Sequence, residues 1–366
     1  MLTGWRRALA FAWGWQTENP AVREEEVQVL REDGPTPGTL FVPERAKGPL
    51  PGWVVLHGMT RAGRRHSTLR RFVRAMSGSG AAVLIPEIRE WKELKLAPEQ
   101  VVDTIRASVL HLDDRPETEG GRTGVIGFSF GAPQALIAST DPVLRGHLAA
   151  VVGFGGYCDL EPVIRFLFTG VHEWEGTTYT LEPDPYGRWI VGGNHLDRTP
   201  GYRDAEDVSR ALLELARRAG DMQVEAWKEV FDPIKEELES RVAPSRRDLF
   251  RTFAPPAGEP PDPETREELA LALARTIRAS SPLSEPTPHL DRIPVPVRLI
   301  HGREDRLIPF SETLRLARRF PANADVKVFL TGLFSHSRGG GVTGFVDPLR
   351  ESYRFLRALA EIMRMI

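Results

Sequence analysis

The chain has 366 residues, and 48 Lys and Arg against 50 Asp and Glu give it a formal net charge of −2. This balance lacks the basic excess typical of nucleic-acid binding, and the sequence has no run of 18 apolar residues that would predict a membrane span. The single cysteine, Cys158, cannot form an internal disulfide, so we expect a cytoplasmic protein. At about 150 residues per domain, the length predicts two units or one α/β domain with a large insertion.

The N-terminus carries two arginines followed by a short apolar stretch over residues 8–15. This stretch is short for a signal peptide, contains two tryptophans and lacks a clear cleavage site of small residues. We therefore expect a leading helix that packs on the core. The alternative is contact with a membrane surface through the aromatic side chains of Trp5, Phe11, Trp13 and Trp15.

Short apolar runs and helical patterns alternate through the first half of the chain. The apolar runs predict strands at residues 27–31, 39–42, 53–56, 81–85, 124–127 and 149–154, the first two as a hairpin. Apolar residues at helical spacing predict helices at 67–76, 98–112 and 132–139. This alternation predicts an α/β fold, with a mostly parallel, doubly wound sheet and helices on both faces.

The alternation stops between about residues 158 and 290. No run there predicts a buried strand, and helical patterns cover 160–168, 205–219, 224–238 and 263–279. A strand at 296–300, a helix at 311–319, a strand at 326–330 and a helix at 345–363 follow. We therefore predict a core formed by 1–157 and 291–366, with 158–290 as a mainly helical cap insertion. Because ligands bind at the carboxyl ends of such strands, an insertion there would roof the site.

The pentapeptide Gly127-Phe128-Ser129-Phe130-Gly131 has the pattern G-x-S-x-G. It follows the apolar strand Val125-Ile126 and precedes a predicted helix. A serine on such a sharp turn has a strained backbone that exposes its hydroxyl, and the flanking positions need glycine because they crowd each other. The alternative is a glycine-flanked turn with an inert serine.

With this motif the chain resembles the α/β-hydrolase superfamily, including its esterase, dienelactone-hydrolase-like and prolyl-oligopeptidase-like branches. In that superfamily the catalytic residues follow the order Ser, acid, His. The segment from Leu299 to Pro309 resembles the family pattern H-G-x-x-D-x-x-I-P, and Asp305 falls on the position of the acid. The resemblance implies His336 as the base, because it is the one histidine after Asp305. It makes Ser129 the nucleophile.

An oxyanion hole is also implied by the resemblance. One donor would be the backbone N–H of Phe130, directly after the nucleophile. The segment His57-Gly58-Met59-Thr60 follows a predicted strand and resembles the family's H-G-x oxyanion segment, which assigns the second donor to Met59, with Thr60 as the alternative. The chain order makes His57 a structural residue that supports this loop.

These assignments predict a serine esterase that acts on a small-molecule ester through an acyl-enzyme intermediate, without a metal or organic cofactor. The sequence has no H-E-x-x-H, paired cysteines or phosphate-binding G-x-x-x-x-G-K. Two other functions stay open: a serine peptidase of the prolyl-oligopeptidase-like type, and a non-catalytic binding scaffold. Whether the chain forms a homodimer, and which of the insertion's aromatic residues line an acyl pocket, also stay open.

Overall fold

A computed structural model describes residues 2–18, 20–259, 263–332 and 348–366. It contains an eight-stranded sheet in the order β1-β2-β4-β3-β5-β6-β9-β10, and a separate hairpin of β7 and β8. The strands are β1 Val22–Arg31, β2 Gly34–Pro43, β3 Leu50–Val55, β4 Ala82–Pro86, β5 Thr118–Phe128, β6 Leu148–Phe154, β7 Val171–Trp174, β8 Thr177–Thr180, β9 Val297–Gly302 and β10 Val326–Thr331. From β4 to β10 all neighbouring strands are parallel, while β1 and β2 pair antiparallel at one edge.

The described helices comprise those that cover the two faces of this sheet and those of a segment inserted between β6 and β9. They are α1 Leu2–Thr17, α2 Ser67–Gly78, α3 Arg89–Lys92, α4 Pro98–Asp113, α5 Gly131–Ala138, α6 Leu160–Thr169, α7 Pro185–His195, α8 Glu206–Met222, α9 Asp232–Ser240, α10 Arg247–Phe253, α11 Pro263–Ser280, α12 Phe310–Arg319 and α13 Pro348–Ile362. The predicted α/β fold, with a mostly parallel sheet, is confirmed.

The central strands are apolar on both faces because helices cover both. Along β3, Trp53 and Val55 point into one apolar cluster, which also contains side chains of α1, α2 and α13. Val54, between them, points into the opposite cluster, which also contains side chains of α4, α5 and α12. Alternate residues of a strand face opposite sides of its sheet, so a strand covered on both sides has a continuous apolar run.

The leading helix α1 packs on this core. Ala8 and Phe11 are buried against the cluster that contains α2 and α13. Arg7 donates hydrogen bonds to the backbone oxygens of Gly80 and Met363, at 2.7 and 2.9 Å. No helix in the described part of the chain is long and apolar enough to cross a bilayer.

Between β6 and β9 the chain leaves the sheet for residues 155–296, which we call the inserted segment. It contains α6 to α11 and the β7–β8 hairpin, packed around an apolar cluster of its own. Most of its aromatic side chains belong to packed interiors: Phe166, Phe168 and Trp189 are at most 1% exposed. Two buried carboxylates fix its start, since Glu312 accepts from the N–H groups of Cys158 and Asp159, and Glu285 accepts from that of Leu160.

The helix predicted at 224–238 is wrong in its first half. Helix α8 ends where Gln223 takes a left-handed conformation with φ 54°, and α9 begins only at Asp232, with Pro233 in its first turn. Proline lacks the N–H that a helix interior needs, so Pro233 fits a first turn and not the middle of a long helix. Helices α3, α7 and α10 were missed.

Candidate active site

Ser129 lies on a sharp turn between β5 and α5. Its φ is 54°, in the left-handed region that a residue with a side chain seldom occupies. The Ser129 N–H donates to the oxygen of Phe154 at 2.7 Å, which ties the turn to the neighbouring strand β6. The Ser129 side chain is half-buried and lines a cavity. Strand, strained serine and helix are the arrangement that the sequence motif predicts.

The two motif glycines meet across this turn. A Cβ atom on Gly127 would lie 2.1 Å from the backbone oxygen of Gly131. A Cβ on Gly131 would lie 3.1 Å from the indole of Trp91, which is a tighter than ordinary contact. The steric need for glycine is therefore severe at position 127 and milder at 131.

The loop after β3 carries the predicted oxyanion donor. Its His57 is fully buried, with Nε2 accepting from the N–H of Ile88 at 2.9 Å and Nδ1 lying 2.8 Å from the oxygen of Gly58. Because Nε2 accepts, the ring proton is on Nδ1 and points at Gly58. Burial lowers the pKa of His57 to about 4, which keeps the ring neutral. Its contacts join the loop to the end of β4, so His57 has the supporting position that the sequence predicts.

Met59 and Phe130 both line the same cavity as Ser129. Beneath them lies Trp91, a fully buried residue that our sequence interpretation missed. Its ring makes edge contacts with the rings of His57 and Phe130, at centroid distances of 5.6 and 6.0 Å. Trp91 thus packs against both parts of the predicted oxyanion hole. No motif marks it, because only the fold brings α3 beneath the loop.

Asp305 lies just beyond β9, which is two strands along the sheet from β5. Its side chain is fully buried, and Oδ1 accepts from the N–H groups of Leu307 and Ile308 at 2.9 and 3.0 Å. Two backbone donors hold the carboxylate in one orientation. Ser129 and Asp305 therefore both follow the carboxyl ends of parallel strands, on one edge of the sheet.

His301, four positions before Asp305, is a second residue that the sequence analysis did not single out. Its Nε2 lies 3.3 Å from Oδ2 of Asp305 and 2.9 Å from the oxygen of Ile308. Since both neighbours are acceptors, Nε2 carries the proton. On the other side of the ring, Nδ1 lies 2.7 Å from the hydroxyl of Thr313. The sequence signal for His301 is the first residue of the H-G-x-x-D pattern, in which the sequence analysis assigns a role only to the aspartate.

His336, the implied base, lies outside the described residues, which resume at Pro348 after Gly332. The contacts of a Ser129–His336–Asp305 arrangement are therefore a proposal. Among the described residues, no three His, Cys, Asp or Glu side chains converge as a metal site. Cys158 is buried, and burial raises its pKa to about 12, so its thiol stays protonated at neutral pH.

The cavity beside Ser129 has a volume of about 1100 Å³. Its walls come from the loop after β3, from the turn at Ser129 and from α6, α7 and α8 of the inserted segment. The cavity also reaches residues of α1, α2 and α13 on the side of the leading helix. Such a concave, mainly apolar site next to a strained serine is a candidate active site.

Comparison with solved structures shows the fold. The chain resembles brefeldin A esterase, a bacterial homologue of human hormone-sensitive lipase, with a TM-score of 0.51 and 16% identity over 98% of this chain and 86% of that one. It also resembles the acylaminoacyl peptidase of Pyrococcus horikoshii, with a TM-score of 0.51 and 13% identity over 95% of this chain and 42% of that one. The chain therefore has the α/β-hydrolase fold.

Sequence comparison reaches less of the chain. A protein of Mycobacterium tuberculosis that is provisionally named a phosphoribosyl transferase is 33% identical over 157 residues, which cover 39% of this chain and 32% of that protein. The chain thus spans about a third of the length of the curated relatives that it matches. No family model matches the sequence.

Proposed function

We propose that this protein is a serine hydrolase that cleaves carboxylic esters. The observation that carries the proposal is the strained backbone of Ser129, at the end of a central strand and beside a cavity that Met59 and Phe130 also line. Strain of this kind persists where the surrounding structure enforces it, and the hydrogen bond from the Ser129 N–H to the oxygen of Phe154 helps to hold the turn in this conformation. The α/β-hydrolase fold places nucleophiles at this position.

In the proposed reaction, His336 removes the proton of Ser129 as its hydroxyl attacks the ester carbonyl. The carboxylate of Asp305, held by two backbone donors, orients His336 and stabilises the imidazolium that forms. The N–H groups of Phe130 and Met59 bind the developing oxyanion, and each is worth roughly 3 kcal/mol. His336 then protonates the leaving alcohol, and water attacks the acyl group to release the acid and restore Ser129.

The organisation of the chain belongs to the same proposal. We divide it into a core of 1–157 and 291–366, with 158–290 as a cap that supplies α6 and α7 to the cavity wall. A cytoplasmic location agrees with the single, buried and protonated Cys158, which needs no oxidising environment.

The test is hydrolysis of p-nitrophenyl acetate by the wild type and by Ser129→Ala, together with labelling by a fluorophosphonate probe. We expect the variant to lose at least about 10³-fold in kcat, because no other group replaces the nucleophile. We also expect it to lose labelling while its melting temperature changes little. Turnover that survives in the variant would show that the nucleophile is misassigned. Cleavage of aminoacyl anilides in place of esters would instead support the peptidase alternative.

A further inference from the structure

The inserted segment presents an apolar stripe to the cavity. Leu160, Val163, Ile164 and Leu167 of α6 all line it, and their spacing of three, four and seven residues places them on one face of the helix. From α7, Ile190 and Val191 line the same cavity. Two helices of the inserted segment thus offer aliphatic side chains to whatever binds beside Ser129.

The same wall carries little charge. Among the described residues that line the cavity there is no lysine or arginine. Its carboxylates are those of Asp184 and Glu225. Asp184 is buried and caps α7, accepting from the N–H of Tyr186 at 3.0 Å. A carboxylate or phosphate on a ligand would therefore lose its water shell without gaining a lysine or arginine partner from these residues, which is costly.

We infer that the substrates are uncharged esters with a large apolar group, such as an acyl chain of eight carbons, bound against the stripe of α6. This inference rests on the proposed function, since it names the substrate class of the same site. The reaction consumes one water: the acyl–oxygen bond of the ester breaks, the acyl group passes through Ser129, and one carboxylic acid and one alcohol leave. A cavity of about 1100 Å³ has room for such a group.

The acyl chain length and the charge of the substrate test this inference directly. Across p-nitrophenyl acetate, butyrate and octanoate, we expect kcat/KM to rise at least about tenfold, because each buried methylene favours binding. We expect the singly charged p-nitrophenyl succinate to react at least about a hundredfold more slowly than p-nitrophenyl butyrate, which has the same number of acyl carbons but no carboxylate. A kcat/KM that does not change with acyl chain length would overturn the inference, and so would equal rates for p-nitrophenyl succinate and p-nitrophenyl butyrate.

A variant that fills the cavity localises the effect. Val191 is half-buried in the cavity wall, so Val191→Trp should lower kcat/KM for octanoate more than kcat/KM for acetate and remove most of the preference for octanoate. The matched control is Val143→Trp, whose position is 53% exposed and does not line the cavity. It should keep the wild-type profile. If Val191→Trp also keeps that profile and is folded by its melting temperature, the apolar group binds elsewhere.

Binding to Ser129→Ala separates this inference from the proposed function, because it needs no turnover. By calorimetry on Ser129→Ala, we expect 2-decanone to bind at least about tenfold more tightly than decanoate. Adding Val191→Trp to Ser129→Ala should weaken the binding of 2-decanone. Equal or tighter binding of decanoate would overturn the substrate class even if Ser129 proves to be the nucleophile. Failure of Ser129-dependent hydrolysis on every ester, with the ketone still preferred, would overturn the proposed reaction and leave the apolar site.

Discussion

The buried histidines at the end of the sheet that carries Ser129 and Asp305 differ from His195 of the inserted segment in their hydrogen bonds. At the sheet edge, both ring nitrogens of His57 and both of His301 lie within hydrogen-bond distance of a neighbour. In the inserted segment, His195 is 2% exposed and neither of its ring nitrogens has a partner among the described residues. His57 and His301 are thus fixed in orientation by hydrogen bonds, as a preorganised site requires, while His195 is held by packing alone.

The largest effect should come from Asp305, which has the tightly held carboxylate. Asp305→Asn keeps the shape but removes the charge that orients a base, so kcat should fall on the order of 10³–10⁴-fold. Steady-state hydrolysis of p-nitrophenyl acetate measures this. Asp325→Asn is the matched control, since Asp325 pairs with Arg298 at the far end of β9 and should leave kcat within about twofold. Equal losses in the two variants would contradict the assignment of Asp305.

Gly127 tests how rigid the sheet edge is. Gly127→Ala would place a methyl group 2.1 Å from the oxygen of Gly131, so the turn must move or the protein must unfold. We expect a loss of more than about 3 kcal/mol in the free energy of unfolding. Urea denaturation measures it, with Gly48→Ala as the control, because a Cβ there meets nothing within 4 Å. Equal stability of the two variants would mean that the turn is more compliant than it looks.

His195 gives the inserted segment a pH dependence. Burial lowers the pKa of His195 from 6.5 to about 4. Between these two pH values the imidazole is therefore protonated in the unfolded state and neutral in the folded state. Stability from this residue is therefore complete above pH 6.5 and is lost as the pH falls toward 4, by up to about 3 kcal/mol. His195→Phe should remove the contribution of one proton from the slope of unfolding free energy against pH between pH 7 and 5, while His57, whose pKa is also lowered to about 4, keeps its own contribution. An unchanged slope would show that the imidazole finds a partner.

The smallest expected effect is the relief of backbone strain at one residue in each of the two regions. Ser129 and Gln223 both have φ 54°, one at the sheet edge and one at the end of α8. Glycine adopts this conformation without steric cost, so Ser129→Gly and Gln223→Gly should each stabilise the fold by about 1 kcal/mol. Thermal denaturation measures both. Stabilisation at 223 alone would mean that the contacts of the serine side chain offset its backbone strain.

The same contrast explains what the sequence could predict. The sheet was predictable because runs such as residues 53–56 are apolar throughout, and so were the positions of Ser129 and Asp305 directly after such runs. Their catalytic roles stay a prediction. Helix α7 was missed because Gly187, Gly192 and Gly193 obscure its periodicity, although Asp184-Pro185 is a sound start signal. The β7–β8 hairpin is too short and too exposed to leave a pattern. Trp91 and His301 act through contacts that only the folded chain creates.

The two carboxylates at the start of α6 bear on engineering. Glu312 lies on the core helix α12, whereas Glu285 lies near the end of the inserted segment, and both accept from backbone N–H groups between Cys158 and Leu160. A chimaera that exchanges the segment for one from another protein of this fold should therefore splice after residue 160 and before 285. With these joints, each chimaera would keep the hydrogen bonds of Glu312 and Glu285 to the backbone at the start of α6, so that segments with different cavity walls could be compared on the same core.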